Sequence, residues 1–111
     1  RIVLEQSLAH VFPSCSEAGA AAVVETMSAG VIPVVTYEAS IDVENFGFLL
    51  EDASIETIMR QVREIAAMSV DELRRKAKKA WEAAHNNHTQ EKFARSYRAT
   101  IEMILAKHGR R

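Results

Sequence analysis

The stretch from Pro13 to Val35, PSCSEAGAAAVVETMSAGVIPVV, restricts the fold more than any other part of the chain. A brief apolar run, His10-Val11-Phe12, ends at Pro13, which cannot donate to a strand ladder. Ser14, Cys15 and Ser16 then read as a loop. Gly19 to Ala29 reads as a helix whose residues Ala20 to Val24 and Met27 are apolar nearly all round, which predicts burial on most faces. Gly30 is placed to stop it. VIPVVT, residues 31–36, is a second continuous apolar run of the kind that suits a strand buried on both faces. Two such strands joined through a helix form a βαβ unit, so the predicted fold is α/β with a parallel sheet.

The remaining chain extends this plan. IVLEQSL, residues 2–8, is a turn of helix, and YEASIDVEN, residues 37–45, is a polar, acidic loop on the same rim as the loop at 14–18. FGFLL, residues 46–50, is a third short strand containing Gly47. Three helices follow. The first runs from about Ser54 to Met68, with Ile55, Ile58, Met59, Val62 and Ile65 at helical spacing. The second opens on the capping box Ser69-x-x-Glu72 and ends near His85. After the break at Asn86-Asn87, the third starts near Thr89 and carries Phe93, Tyr97, Ile101, Ile104 and Leu105 on one face.

A length of 111 residues suits one domain, and residues 1–111 are read as a single unit. With 48% hydrophobic and 26% charged residues, the chain has the balance of a globular domain with one modest core. A formal net charge of −1 provides no global field for nucleic acid or anionic lipid, and no nucleic-acid partner is expected. The cations of RRKAKK, residues 74–79, share their helix with Asp71, Glu72 and Glu82 and read as a solvated face. Cys15 is the sole cysteine, which rules out an internal disulfide; it reads as a packing residue near a strand end. His10, His85, His88 and His108 share no ligand spacing with it, so no metal is expected. Trp81, near Ala77, Ala80 and Ala84, reads as a core or interdomain contact. No apolar run approaches the ~20 residues of a membrane span, and no signal peptide is visible. The chain opens on Arg1 rather than methionine and is expected to be a piece of a longer protein.

In open α/β sheets, ligands sit outside the carboxyl ends of the strands, which is where Glu17 falls. The N–H groups from about Gly19 to Ala21 open the following helix without intrahelical acceptors and at the positive end of its dipole. A phosphate suits them, and small side chains let it approach. Glu17 offers a carboxylate to hydroxyl donors such as those of a sugar ring. Glu25 would follow about 12 Å further along, at 1.5 Å rise per residue, if residues 17–25 were all helical, in a helix otherwise apolar, where a charge needs partners. A ribose diol presents two donors to one carboxylate. The same residues also read as an ordinary acid at a helix N-terminus and a surface residue, and spacing alone favours this plainer reading.

Residues 13–36 resemble the donor-site motif of retaining GT-B glycosyltransferases, the group 1 glycosyl transferase family. The usual pattern is P-S-x-x-E-G-x-G-x-x-x-x-E-A-M-A-x-G-x-P-V-V. The chain has Pro13, Ser14, Glu17, Glu25, Met27, Gly30, Pro33, Val34 and Val35. FGFLL and HTQEKFARSYRATIEMIL, residues 88–105, are similar to later parts of the same domain, including its closing helix. The resemblance implies a partial Rossmann-like sheet with C-terminal helices, from the donor-binding C-terminal domain of a hexosyltransferase. The donor would be a UDP-, GDP- or ADP-sugar, with no metal and no cofactor. Glu17 would be the catalytic-site residue, holding hydroxyls of the donor sugar. Ala18, Gly19 and Ala20 would face the sugar and diphosphate, and Glu25 would hold the ribose.

Ala18 and Ala20 stand where the family has glycine, and a methyl group there would crowd the sugar or alter its selection. Pro33 comes one residue later than in the family pattern. In the family, the basic residues that neutralise the diphosphate lie upstream, and the acceptor site is on a separate N-terminal domain. Neither falls within these residues, so the acceptor is unknown and the chain alone is expected to be inactive. A nucleotide-sugar epimerase of the same architecture and a non-catalytic nucleotide-binding module are the other readings. The expected location is cytoplasmic, with any membrane contact made through the missing domain. An uncovered sheet edge invites pairing with another copy, so self-association is expected.

Overall fold

The computed structural model describes residues 2–18, 20–43 and 45–109. A short helix α1 (Ile2–Glu5) leads into β1 (Ala9–Phe12), and α2 (Ala21–Met27) carries the chain to β2 (Ile32–Thr36). A 3-10 turn (Tyr37–Ala39) and a loop precede β3 (Phe48–Leu50); α3 (Ile55–Ala67), α4 (Val70–Asn87) and α5 (Gln90–His108) follow. The strands form one parallel sheet in the order β1-β2-β3, with Val11 opposite Val34, Phe12 opposite Val35, and Val34 opposite Phe48. The fold is therefore α/β with a three-stranded parallel sheet and helices.

β2 is the central strand, and all five of its residues are buried, as its unbroken apolar run requires. Its side chains alternate between faces. Val35 packs in a cluster with Val23 and Met27 of α2 and Ala80 and Ala84 of α4. Val34 packs on the other face with Leu50 and Ile65, where Val11, Ile58 and Leu73 also pack. α4 thus serves both layers, through Leu73 near its start and its alanines further on.

Pro33 lies within this central strand, where a missing N–H normally costs a ladder bond. The Ile32 N–H turns toward β1 and donates to the Leu8 carbonyl at 3.0 Å, so the nitrogen of Pro33 faces the β3 side. Pairing with β3 begins one residue later, at Val34, so no bond is lost. α2 ends as Gly30 predicts. Its φ is +79°, its N–H donates to Met27 at 2.9 Å, and the Val31 N–H donates to Thr26 at 3.1 Å. This is the Schellman pair of bonds, and buried Val31 packs behind it.

α2 is shorter and less enclosed than its composition predicts. Only Val23 and Met27 are buried, because a two-turn helix presents one face to the sheet and α4. Of the two readings of Trp81, core or interdomain contact, the core one is excluded. Trp81 lies one position off the buried Ala80–Ala84 stripe, is exposed, and stacks on His85 at 4.1 Å. The cations of the run 74–79 are exposed except for half-buried Lys76, whose ammonium donates to the Asn45 carbonyl at 3.3 Å and lies 4.8 Å from the Phe48 ring centre. The Ser69–Glu72 capping box forms as read from the sequence. α5 forms where expected, yet no residue of it is buried, and Phe93, Tyr97, Ile101, Ile104 and Leu105 are 40–70% exposed.

His10 ties β1 to α2. The Thr26 hydroxyl donates to the Val23 carbonyl at 2.9 Å, so it accepts from His10 Nδ1, also at 2.9 Å, which sets the histidine tautomer. Partial burial holds the His10 pKa below its ordinary 6.5. The unfolded chain then binds the extra proton first, so stability falls as pH drops through 6.5 and levels off below the folded-state pKa. Urea unfolding at pH 7.5 and 5.5 should show this loss, and His10→Gln should reduce it. An equal loss in the variant would show that His10 is not its source.

Candidate functional site

The site is built where the chain leaves β1 and β2 at their carboxyl ends. Three hydrogen bonds cross-link the two loops. The Thr36 hydroxyl donates to the Ser14 carbonyl, the Glu17 N–H donates to the Glu38 carbonyl at 3.0 Å, and the Ser40 hydroxyl donates to the Glu17 carbonyl at 2.9 Å. The backbone of Glu17 is therefore held on both sides while its side chain remains outside. Ser40 adopts the left-handed conformation, φ 57° and ψ 34°. That region costs a residue with a Cβ roughly 1–2 kcal/mol, which the bond to Glu17 partly offsets.

A cleft of about 810 Å³ opens over these loops; its wall includes Ser16, Glu17, Tyr37, Glu38, Asp42 and Leu49. Among the described residues, Glu17, Glu38 and Asp42 are its charged lining residues, and no Lys, Arg or His lines it. Among the described residues, the carboxylates of Glu17 and Glu38 have no hydrogen-bond or ion-pair partner. Tyr37 is 80% exposed and presents a flat apolar ring with a hydroxyl at its edge. Free carboxylates accept hydrogen bonds from hydroxyl groups, so the cleft is chemically suited to a polyhydroxylated group. No three His, Cys, Asp or Glu side chains among the described residues are grouped to hold a metal ion. No helix of the described residues is long and apolar enough to cross a membrane.

Glu17 lines this cleft, as its place after β1 predicts. Ala18 is exposed on the turn beside it, and Gly19 lies outside the described residues. Ala20 is 3% exposed, with its methyl group packed in the core beside Val23 and Met27. The expected crowding of a sugar by that methyl does not arise, because the side chain points inward. Glu25 does not line the cleft. It is exposed on α2, with Ala21 and Ala22 exposed near it, so its charge stays in water and needs no buried partner. Cys15 is exposed and lines the cleft, and so is not the packing residue its position suggested. Tyr37, Glu38, Ser40 and Asp42 were not singled out by the sequence reading. Their signal was position: they follow the carboxyl end of the central strand.

No protein-family model, curated protein or solved structure matches the chain. The chemistry of the site therefore rests on its own geometry and on the residues it brings together.

Proposed function

We propose that the chain is the donor-binding part of a retaining glycosyltransferase of the GT-B type. In the whole enzyme, a hexosyl group passes from a UDP-, GDP- or ADP-sugar to an acceptor held by a further domain. The observation that carries this reading is the unpartnered carboxylate of Glu17, held by backbone bonds at the carboxyl ends of β1 and β2 in a cleft of about 810 Å³. That size is typical of small-molecule sites. Glu17 holds hydroxyls of the donor sugar, Ala18, Gly19 and Ala20 face the diphosphate, and Glu25 holds the ribose. No metal or other cofactor takes part in the proposed donor binding. A cytoplasmic location fits a nucleotide-sugar substrate.

Titrating the chain with UDP-, GDP- and ADP-hexoses tests the reading. Saturable binding of one of them supports it, and a folded chain that binds none overturns it. Glu25→Ala should weaken nucleotide binding by about 1.5 kcal/mol, the low end for a hydrogen bond to a charged group, because the site is open to water. Unchanged affinity would remove the ribose role. Among the described residues, the outer strands β1 and β3 each leave one edge without a strand partner. Self-association is therefore part of the proposal, and a monomer by light scattering across a wide concentration range would count against it.

A further inference from the structure

The cationic run of α4, residues 74–79, is not explained by the stability of its own helix. Arg75 and Lys79 are like charges one turn apart, an arrangement that destabilises a helix. Arg75 and Lys76 also lie in the first half of α4 (Val70–Asn87), away from the carboxyl end where the dipole favours cations. The fold sorts the run into two sets. Lys78 pairs with Glu82 at 3.9 Å. Arg75, Lys76 and Lys79 instead gather with Asn45, Met68 and Glu72 around a groove of about 260 Å³, which neither Arg74 nor Lys78 lines.

Three cations thus share this groove with one carboxylate, and that carboxylate is engaged: Glu72 Oε2 accepts from the Ser69 N–H at 3.3 Å in the capping box. The cations are not neutralised elsewhere. Lys76 donates to a neutral carbonyl, that of Asn45, and lies over the Phe48 ring. Among the described residues, Arg75 and Lys79 have no hydrogen-bond or ion-pair partner. On a chain of formal net charge −1, this is a local excess of positive charge on a concave surface, which concentrates anions. Lys76 is half-buried and tethered to Asn45, so one of the charges is held in place in advance.

The groove lies at the opposite end of the sheet from the cleft. Asn45 precedes β3, and the Ala77 carbonyl, next to Lys76, lies beside Gly30 just ahead of β2. No residue lines both sites.

We propose that this groove binds a small multivalent oxyanion, a phosphate monoester or a diphosphate group. Arg75 supplies the planar fork that matches phosphate oxygens in pairs, Lys76 and Lys79 add point charges, and Met68 gives an apolar wall to whatever carries the group. The volume falls below the roughly 300–1,000 Å³ of drug-sized ligand sites, which suits one phosphorylated group. Such a group arrives on a soluble phosphoester or on a lipid headgroup, and the chemistry recognised is the same. The site stands whatever the cleft takes up.

The test is titration of the isotope-labelled chain with pyrophosphate and with inorganic phosphate at constant ionic strength, read by amide chemical shifts. Saturable shifts centred on Met68, Arg75 and Lys79 are expected, tighter for pyrophosphate and absent with chloride. Arg75→Gln and Lys79→Gln should each weaken pyrophosphate binding about fivefold, as for a charged hydrogen bond partly screened by solvent. Arg74→Gln and Lys78→Gln remove the same charge away from the groove and should change it less than about twofold. All four positions are exposed, so the fold should survive, as circular dichroism would verify. Equal losses in all four variants, or shifts that never saturate, would mean a diffuse field and overturn the proposal. Flotation with phosphatidylcholine vesicles, with and without phosphatidic acid, identifies the source. Binding to phosphatidic acid that pyrophosphate displaces assigns the group to a lipid headgroup, and saturable pyrophosphate binding without vesicle binding assigns it to a soluble phosphoester. Vesicle binding by a chain that takes up no pyrophosphate would also overturn the proposal.

Discussion

Replacing Gly47 with alanine is expected to destabilise the chain by about 3 kcal/mol, at the upper end for overpacking a tight site. A Cβ at this position would lie 2.7 Å from the Pro33 carbonyl oxygen, 2.8 Å from Pro33 Cγ and 2.8 Å from Val43 Cβ. None of these can swing away. Pro33 is a ring residue of the fully buried central strand, and Val43 is itself 6% exposed. Gly47 is therefore needed for close approach, where the chain presses against β2 before pairing with it. Relief of the clash would move the segment that carries Val43 and Leu49, and both line the cleft. Urea unfolding should show the loss directly; a drop below about 1 kcal/mol would mean that the loop has room to shift. The same variant should also bind nucleotide-hexose more weakly in its folded fraction.

On the donor-site reading proposed above, replacing Glu17 with glutamine in the whole enzyme is expected to lower kcat/KM for the nucleotide-sugar by roughly 10- to 100-fold. This follows from losing hydrogen bonds to a charged acceptor, worth about 1.5–3 kcal/mol. The amide keeps the shape and one acceptor oxygen, so the loop bonds made by the Glu17 backbone should survive. The distinguishing measurement is affinity for the free nucleotide, which should not change, because Glu17 lies in the carboxylate-lined cleft. Equal losses for sugar-bearing and free nucleotide would show that the substitution disturbs the loops rather than removing a sugar contact. No loss in kcat/KM would remove Glu17 from the site.

The parts of the fold that can be read from residues are those determined locally. Gly30 needs a positive φ, Ser69 and Glu72 satisfy each other's helix-end donors, and the unbroken apolar run of β2 leaves no solvent face. Position relative to a strand end was also legible, so Glu17 was placed on the correct rim. Burial of α2 was overestimated because composition does not reveal how many neighbours a helix has. Alanines fit a buried face and an exposed one equally well, and the sheet and α4 together cover only one side. The roles of Ser40 and Glu38 were hidden for a different reason. Each acts on Glu17 through a backbone group, and those partners are distant in sequence.

α5 buries no residue, so opening it locally costs little beyond its own hydrogen bonds. Its amides should exchange with solvent far faster than those of β2, where every residue is enclosed. The chain thus combines a cooperative body with a nearly independent arm. Anything bound between the start of α5 and the body would spend part of its binding free energy on ordering the arm, and slowed exchange confined to the first turns of α5 would report it.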